Sequence, residues 1–305
     1  MKQTFFERIT NELTGEGYEV RTHNVLKNGR QVEAISVVQE GSPLSPTFYE
    51  STFQAMEDRG DSFEDILRFV KSNLCPPDEM NSIVNSIQDK SYVLSHVRYR
   101  MVKAGTEDAY RDYPHFMWQD IPVIFCVELT PEATTNVTSG LMKSLDITYE
   151  ELDDAARANT SKLFENSIRS MQDVLSSFIG MPELDVSSGP VMNVIGSQQK
   201  NGAAAILVMQ EQLNELAEKY GGVILIPSSV HEWIVIGGGD HDAAALNQMI
   251  REVNEAEVIP EDQLSDHAYM LSENLEILQA VDDAWVKVEP TESVPVNAKA
   301  GKASA

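Results

Sequence analysis

Tyr18-Glu-Val-Arg-Thr-His-Asn-Val-Leu-Lys-Asn-Gly-Arg-Gln-Val-Glu-Ala-Ile-Ser-Val-Val38 decides the fold. Both members of Asn28-Gly29 tolerate positive φ, which makes the pair a strong signal for a tight hairpin between strand-forming runs. The stretch predicts two antiparallel strands over residues 18–26 and 32–38. Ahead of them, Phe5, Phe6, Ile9 and Leu13 recur at helical spacing until Gly15 and Gly17 end the pattern. Behind them, Ser42 or Ser45 can cap a helix with Pro46 near its first turn and Phe48, Tyr49, Phe53 and Met56 along it.

The same order returns later. A helix over 203–220 stops at Gly221-Gly222, strands over 223–226 and 231–236 follow, and Asp240 or Asp242 caps a helix carrying Ala245, Met249, Ile250 and Val253. Helix–strand–strand–helix units at 2–58 and 203–255, with no βαβ rhythm, predict an α+β fold of antiparallel hairpins packed against helices. Between them, Ser62-Phe-Glu-Asp65 approximates a capping box, a short helix covers 77–87, and residues 92–102 read as strand. Residues 121–129 read as the most buried strand, with Pro122 at its start or at an edge. Thr148-Tyr-Glu-Glu151 caps a helix that continues through 165–178. Short strands near Tyr269 and Ile277, turned at Asn274, close the domain. The expected organisation is an N-terminal α+β lobe over 1–180, a C-terminal α+β lobe over 181–287 and a disordered tail over 288–305.

Across 305 residues, 23 Lys+Arg stand against 48 Asp+Glu, a net charge of −25. Nucleic-acid binding draws its affinity from cations that neutralise phosphates, so this balance argues against nucleic-acid and anionic-membrane partners. The densest basic group, Arg98, Arg100 and Lys103, reads as one exposed strand face. Cys75 and Cys126 form neither a disulfide framework nor a zinc-ligand spacing. No secretory leader and no apolar run of membrane-spanning length is legible, so the expected address is the cytoplasm.

Several short strings come in a recognisable order: Tyr113-Pro-His115, Asp120-Ile-Pro-Val-Ile-Phe125, Glu151-Leu-Asp-Asp-Ala-Ala-Arg-Ala-Asn-Thr160, Asn201-Gly-Ala-Ala-Ala205 and Ile226-Pro-Ser-Ser-Val-His-Glu232. Val253-Asn-Glu-Ala-Glu-Val258 and Leu264-Ser-Asp-His-Ala-Tyr269 complete the set. Together they resemble an uncharacterised bacterial family of gut Firmicutes, domain of unknown function 5688. The resemblance covers most of residues 1–280 and implies no established activity.

Pro227-Ser-Ser-Val-His-Glu232 holds the most suggestive side chains. Ser228 or Ser229 as nucleophile with His231 as base is one reading, but the glycines of a nucleophile elbow are absent. Turn chemistry, with a hydroxyl satisfying a backbone group, is the other and preferred reading. His231, Glu232, His241 and His267 are metal-ligand types, yet adjacent strand residues point to opposite faces and no His-Glu-x-x-His spacing occurs. No metal and no cofactor is expected. Gly237-Gly-Gly239 is followed by Asp240 rather than a phosphate-binding Lys, and reads as a connection. Tyr113, His115, Ser228 and Asn159 are candidate binding residues, with packing or loop hydrogen bonds as the plainer role.

Three functions follow. The favoured one is a non-catalytic accessory or protein-interaction module. A hydrolase centred on Ser229, His231, Glu232 and His267, and an acidic nucleic-acid mimic, are the alternatives.

Overall fold

Residues 4–38, 45–74, 77–130, 133–165, 167–174, 191–196, 201–238 and 241–288 are described by the computed structural model. The fold is α+β, with antiparallel pairing throughout the described sheets. Two compact units divide at Val93/Leu94. The sequence placed a boundary near residues 180–190; the strands on either side of it, Ile168–Ser170 and Met192–Gly196, pair with each other in one sheet.

In the first unit, helix α1 (Phe5–Gly15) opens with a capping box in which Thr4 and Glu7 serve each other's backbone. Strands β1 (Glu19–Lys27) and β2 (Arg30–Val38) pair through Asn28 at φ 48° and Gly29 at φ 77°, the positive pair that the turn needs. Residues 47–49 are strand rather than helix: β3 (Thr47–Tyr49) adds to β2, and Ser36 and Thr47 share a hydroxyl hydrogen bond of 2.7 Å. Helix α2 (Glu50–Asp58) starts only after it. Ser62 and Asp65 complete a full capping box for α3 (Phe63–Ser72), because the aspartate reaches both the backbone and the hydroxyl of Ser62. Phe6, Ile9, Leu13, Ile35, Phe53, Ile66 and others form one apolar core. Helix α4 spans Pro77–Ile87.

Residues 92–96, expected as strand, are helical. Asp89 accepts from Tyr92 N–H at 2.9 Å and its carbonyl from Val93 N–H at 3.0 Å, which starts α5 (Lys90–His96). Strand β4 (Val97–Met101) begins only there.

Among the described residues the second unit has two sheets. In the first, β4 and β5 (His115–Trp118) pair with β6 (Ile121–Thr130), which β7 (Ala133–Asn136) also joins. Pro122 sits at the start of β6, whose residues 121–127 are all buried. Arg98 corrects the expected exposed basic face: it is 7% exposed, with its guanidinium 3.6 Å from Glu128. Helix α6 spans Ser139–Ser144, and the Thr148/Glu151 capping box opens α7 (Tyr149–Phe164). Thr160 of α7 accepts from the buried Tyr99 N–H at 3.0 Å.

The second sheet runs in the order β14-β13-β12-β10-β11-β9-β8. Its strands are β8 (Ile168–Ser170), β9 (Met192–Gly196), β10 (Val223–Ser229), β11 (Glu232–Gly237), β12 (Tyr269–Leu271), β13 (Ile277–Val281) and β14 (Ala284–Val286). The helix expected through 165–178 is broken by β8, and residues 175–178 lie outside the described residues. The helix expected from Ala203 is a 3-10 segment, Gly202–Leu207, followed by α8 (Gln210–Tyr220). Gly221 at φ 69° closes α8 with a left-handed cap. Asp242 caps α9 (Ala243–Ala256); Asp240 and the tail from 289 lie outside the described residues. Asn274 lies in the turn between β12 and β13, as expected, and Leu275 beside it takes the positive φ.

Candidate functional site

The corner between β10 and β11 is built around backbone groups. Pairing shifts between Pro227 and Ser229, leaving Ser228 at a bulge, and Ser229 then pairs with Glu232. Ser229 Oγ accepts from His231 N–H at 3.1 Å. The next contacts strap other segments to the corner: Val230 N–H donates to the Asp262 carbonyl at 2.8 Å, Ala203 N–H to the Val230 carbonyl at 3.1 Å, and Trp233 Nε1–H to the Ala203 carbonyl at 2.9 Å. His231 Nδ1 accepts from Asn201 N–H at 3.0 Å, which puts the proton of the neutral ring on Nε2, 3.5 Å from Asp262 Oδ2.

A serine nucleophile needs an imidazole lone pair facing its hydroxyl. Here Nδ1 is occupied by Asn201, Nε2 faces Asp262, and the Ser229 hydroxyl serves the main chain. Gly196 makes the close approach possible. At φ 151°, a Cβ there would meet the His231 carbonyl oxygen at 2.6 Å and Glu232 Cβ at 2.9 Å.

His267 belongs to a different cluster. Its Nδ1 lies 2.8 Å from Asp120 Oδ2, in the two-residue turn between β5 and β6. Tyr269 donates its hydroxyl hydrogen bond to Asp120 Oδ1, with Ser265 Oγ 2.9 Å away, and Ser265 Oγ also accepts from His267 N–H. The carboxylate hydrogen bond raises the imidazole pKa and outweighs the opposing effect of burial; Asp266 adds to the rise and Arg251 opposes it. The Gln279 amide stands 2.8 Å from the same nitrogen. Trp118, Trp233 and Tyr269 meet beside this cluster, with ring centroids 5.0–5.7 Å apart. No hydrogen bond or ion pair joins His267 to Ser229, His231 or Glu232 among the described residues.

The other candidates are placed by local bonds. His115 Nδ1–H donates to the Tyr113 carbonyl at 2.9 Å, and Tyr113 meets Tyr110 edge-on. Asn159 Nδ2 donates to the carbonyls of Leu94 and Val97, bridging the end of α5 and the start of β4. His241 meets the Gly238 carbonyl at 2.7 Å, and a Cβ at Gly237 would strike the Tyr220 ring at 2.8 Å. Among the described residues no group of three or more His, Cys, Asp or Glu side chains gathers for a metal ion, and no helix is long and apolar enough to cross a membrane.

One surface has no counterpart in the candidates read from the sequence. Helix α9 buries Ala243, Asn247, Ile250 and Asn254. Ala245, Met249, Val253 and Ala256 recur at i, i+4, i+8 and i+11 on a second stripe, and all four are exposed. Met249 is 42% and Val253 46% exposed; Ile259, just past the helix, is 45% exposed. The signal was present, since Met249 and Val253 read as apolar helix positions, but the sequence did not say that they lie outside the core.

These features define an α+β protein of antiparallel sheets whose polar corners brace the backbone. The family of unknown function DUF5688 matches residues 1–273, and the chain belongs to it. No curated protein matches the chain. No solved structure matches it.

Proposed function

We propose that this chain is a cytoplasmic bacterial accessory module that acts by docking to another protein. The observation that carries the reading is the outward stripe of α9, where Met249 and Val253 stand exposed one turn apart on a helix whose other face already fills the core. A stripe of apolar side chains along an exposed helix face is the kind of surface that a partner helix or groove can cover. The Ser229–His231 corner fits the same reading, because its hydroxyl and its Nδ1 lone pair are engaged by main-chain N–H groups. A photo-reactive amino acid at position 249, in cells that express the protein naturally, tests it. One discrete adduct at 249, absent when the probe sits at Glu215, supports docking; equal labelling at both positions contradicts it.

A second reading, acid–base catalysis, is favoured by the Asp120–His267 pair alone. Asp120 orients the ring through Nδ1, and Nε2 has no partner among the described residues. Turnover of an ester or amide panel that falls by roughly 100-fold or more in His267→Asn would favour this reading. A panel left untouched by the wild-type chain would remove it.

A further inference from the structure

The margin of the α9 stripe is acidic. Turning 100° per residue, Glu252 lies beside Met249 and Ala256, with Gln248 and Glu255 next along the same flank. All three are exposed, and Gln248 donates to Glu252 at 2.7 Å. Glu257 follows at the helix end. Arg251 lies farther round, bonded to Gln248 at 3.0 Å. The last turn of α9 holds no basic residue, so the negative end of its dipole is uncompensated by the helix itself. On the other flank, half-buried Leu246 joins the stripe to the core beneath.

We propose that this face of α9 receives a cationic amphipathic helix, with apolar side chains seated along Met249 and Val253 and Lys or Arg over Glu252, Glu255 and Glu257. This rests on the docking reading above and adds the chemistry of the partner. Charge decides between the occupants. A second copy would bring another 25 net negative charges to the contact and set glutamates near glutamates. A positive helix instead gains from the field of the whole chain, from the flank and from the helix end.

The test is isothermal titration of the full chain with a synthetic helical peptide carrying leucines on one stripe and lysines on both flanks. Three analogues accompany it: the same composition scrambled, lysines replaced by glutamine, and lysines replaced by glutamate. The lysine peptide is expected to bind, the scrambled one about tenfold or more weakly, and the glutamate one not at all. Glu252→Gln with Glu255→Gln should weaken the lysine peptide roughly threefold to tenfold and flatten its salt dependence. Met249→Gln with Val253→Gln, both at exposed positions that leave the fold intact by circular dichroism, should abolish binding. Equal binding of the scrambled peptide, or none of the lysine peptide, overturns the inference. If the glutamine analogue binds α9 as tightly as the lysine peptide, docking stands and the cationic partner falls. If no peptide binds and no adduct forms at position 249 in cells, both fall.

Discussion

His267 Nδ1 and Asp120 Oδ2 stand 2.8 Å apart across 147 residues of chain, and they join the β5–β6 turn of one sheet to the segment leading into β12 of the other. The same carboxylate takes the Tyr269 hydroxyl, so a single side chain in a two-residue turn ties down two partners.

The pair sets a pH dependence whose sign is fixed. The hydrogen bond to Asp120 raises the folded pKa of His267, so the folded chain holds that proton more tightly than the unfolded one. The extra stability is fully present below the unfolded histidine value of about 6.5 and is lost as pH rises through the folded value. Since the His267 side chain is 38% exposed, solvent screening keeps the effect small. NMR titration of His267 and urea melts between pH 5 and about 8.5 check it, the range bracketing ordinary histidine titration. Asp120→Asn should lower the pKa of His267 and flatten the pH slope of stability.

Gly196→Ala should be among the most disruptive single-methyl changes in the second unit. The added Cβ meets backbone, the His231 carbonyl oxygen at 2.6 Å, and φ is 151°. Overpacking and left-handed strain together predict a loss of ~3 kcal/mol. Thermal unfolding measures it, and a melting point unchanged from wild type would contradict the close approach.

Thr160→Val keeps the volume of a fully buried side chain but removes the acceptor for the Tyr99 N–H. An unpaired buried donor costs about 1–3 kcal/mol, which a urea titration resolves. A neutral result would mean that Tyr99 N–H has another acceptor.

Ser229→Ala removes only the acceptor of the His231 N–H. A loss of about 0.5–1.5 kcal/mol is expected from one part-buried hydrogen bond, with photocrosslinking at position 249 unchanged.

Local chemistry was legible where a few neighbouring residues settle it. Asn28-Gly29 made its turn, and Thr148/Glu151 and Asp242 made their caps, because the deciding contacts lie within three residues. Residues 92–96 misled because Tyr92, Val93 and Leu94 suit a strand, while the cap at Asp89 starts a helix. Thr47–Tyr49 misled in the opposite sense: β2 supplies pairing partners that local propensity does not contain. At the site, the Ser229–His231 turn was readable from spacing alone, whereas Asp120 was not, since its partners lie 147 and 149 residues away. The burial of Arg98 likewise depends on Glu128 from another strand.

Amide hydrogen exchange of the full chain, free and saturated with the lysine-flanked amphipathic peptide, tests the docking account most directly. The account predicts slowed exchange across α9, residues 243–256, with the corner strands at 223–237 unchanged. Protection confined to residues 223–237 and 265–271, with α9 exchanging as before, would contradict it.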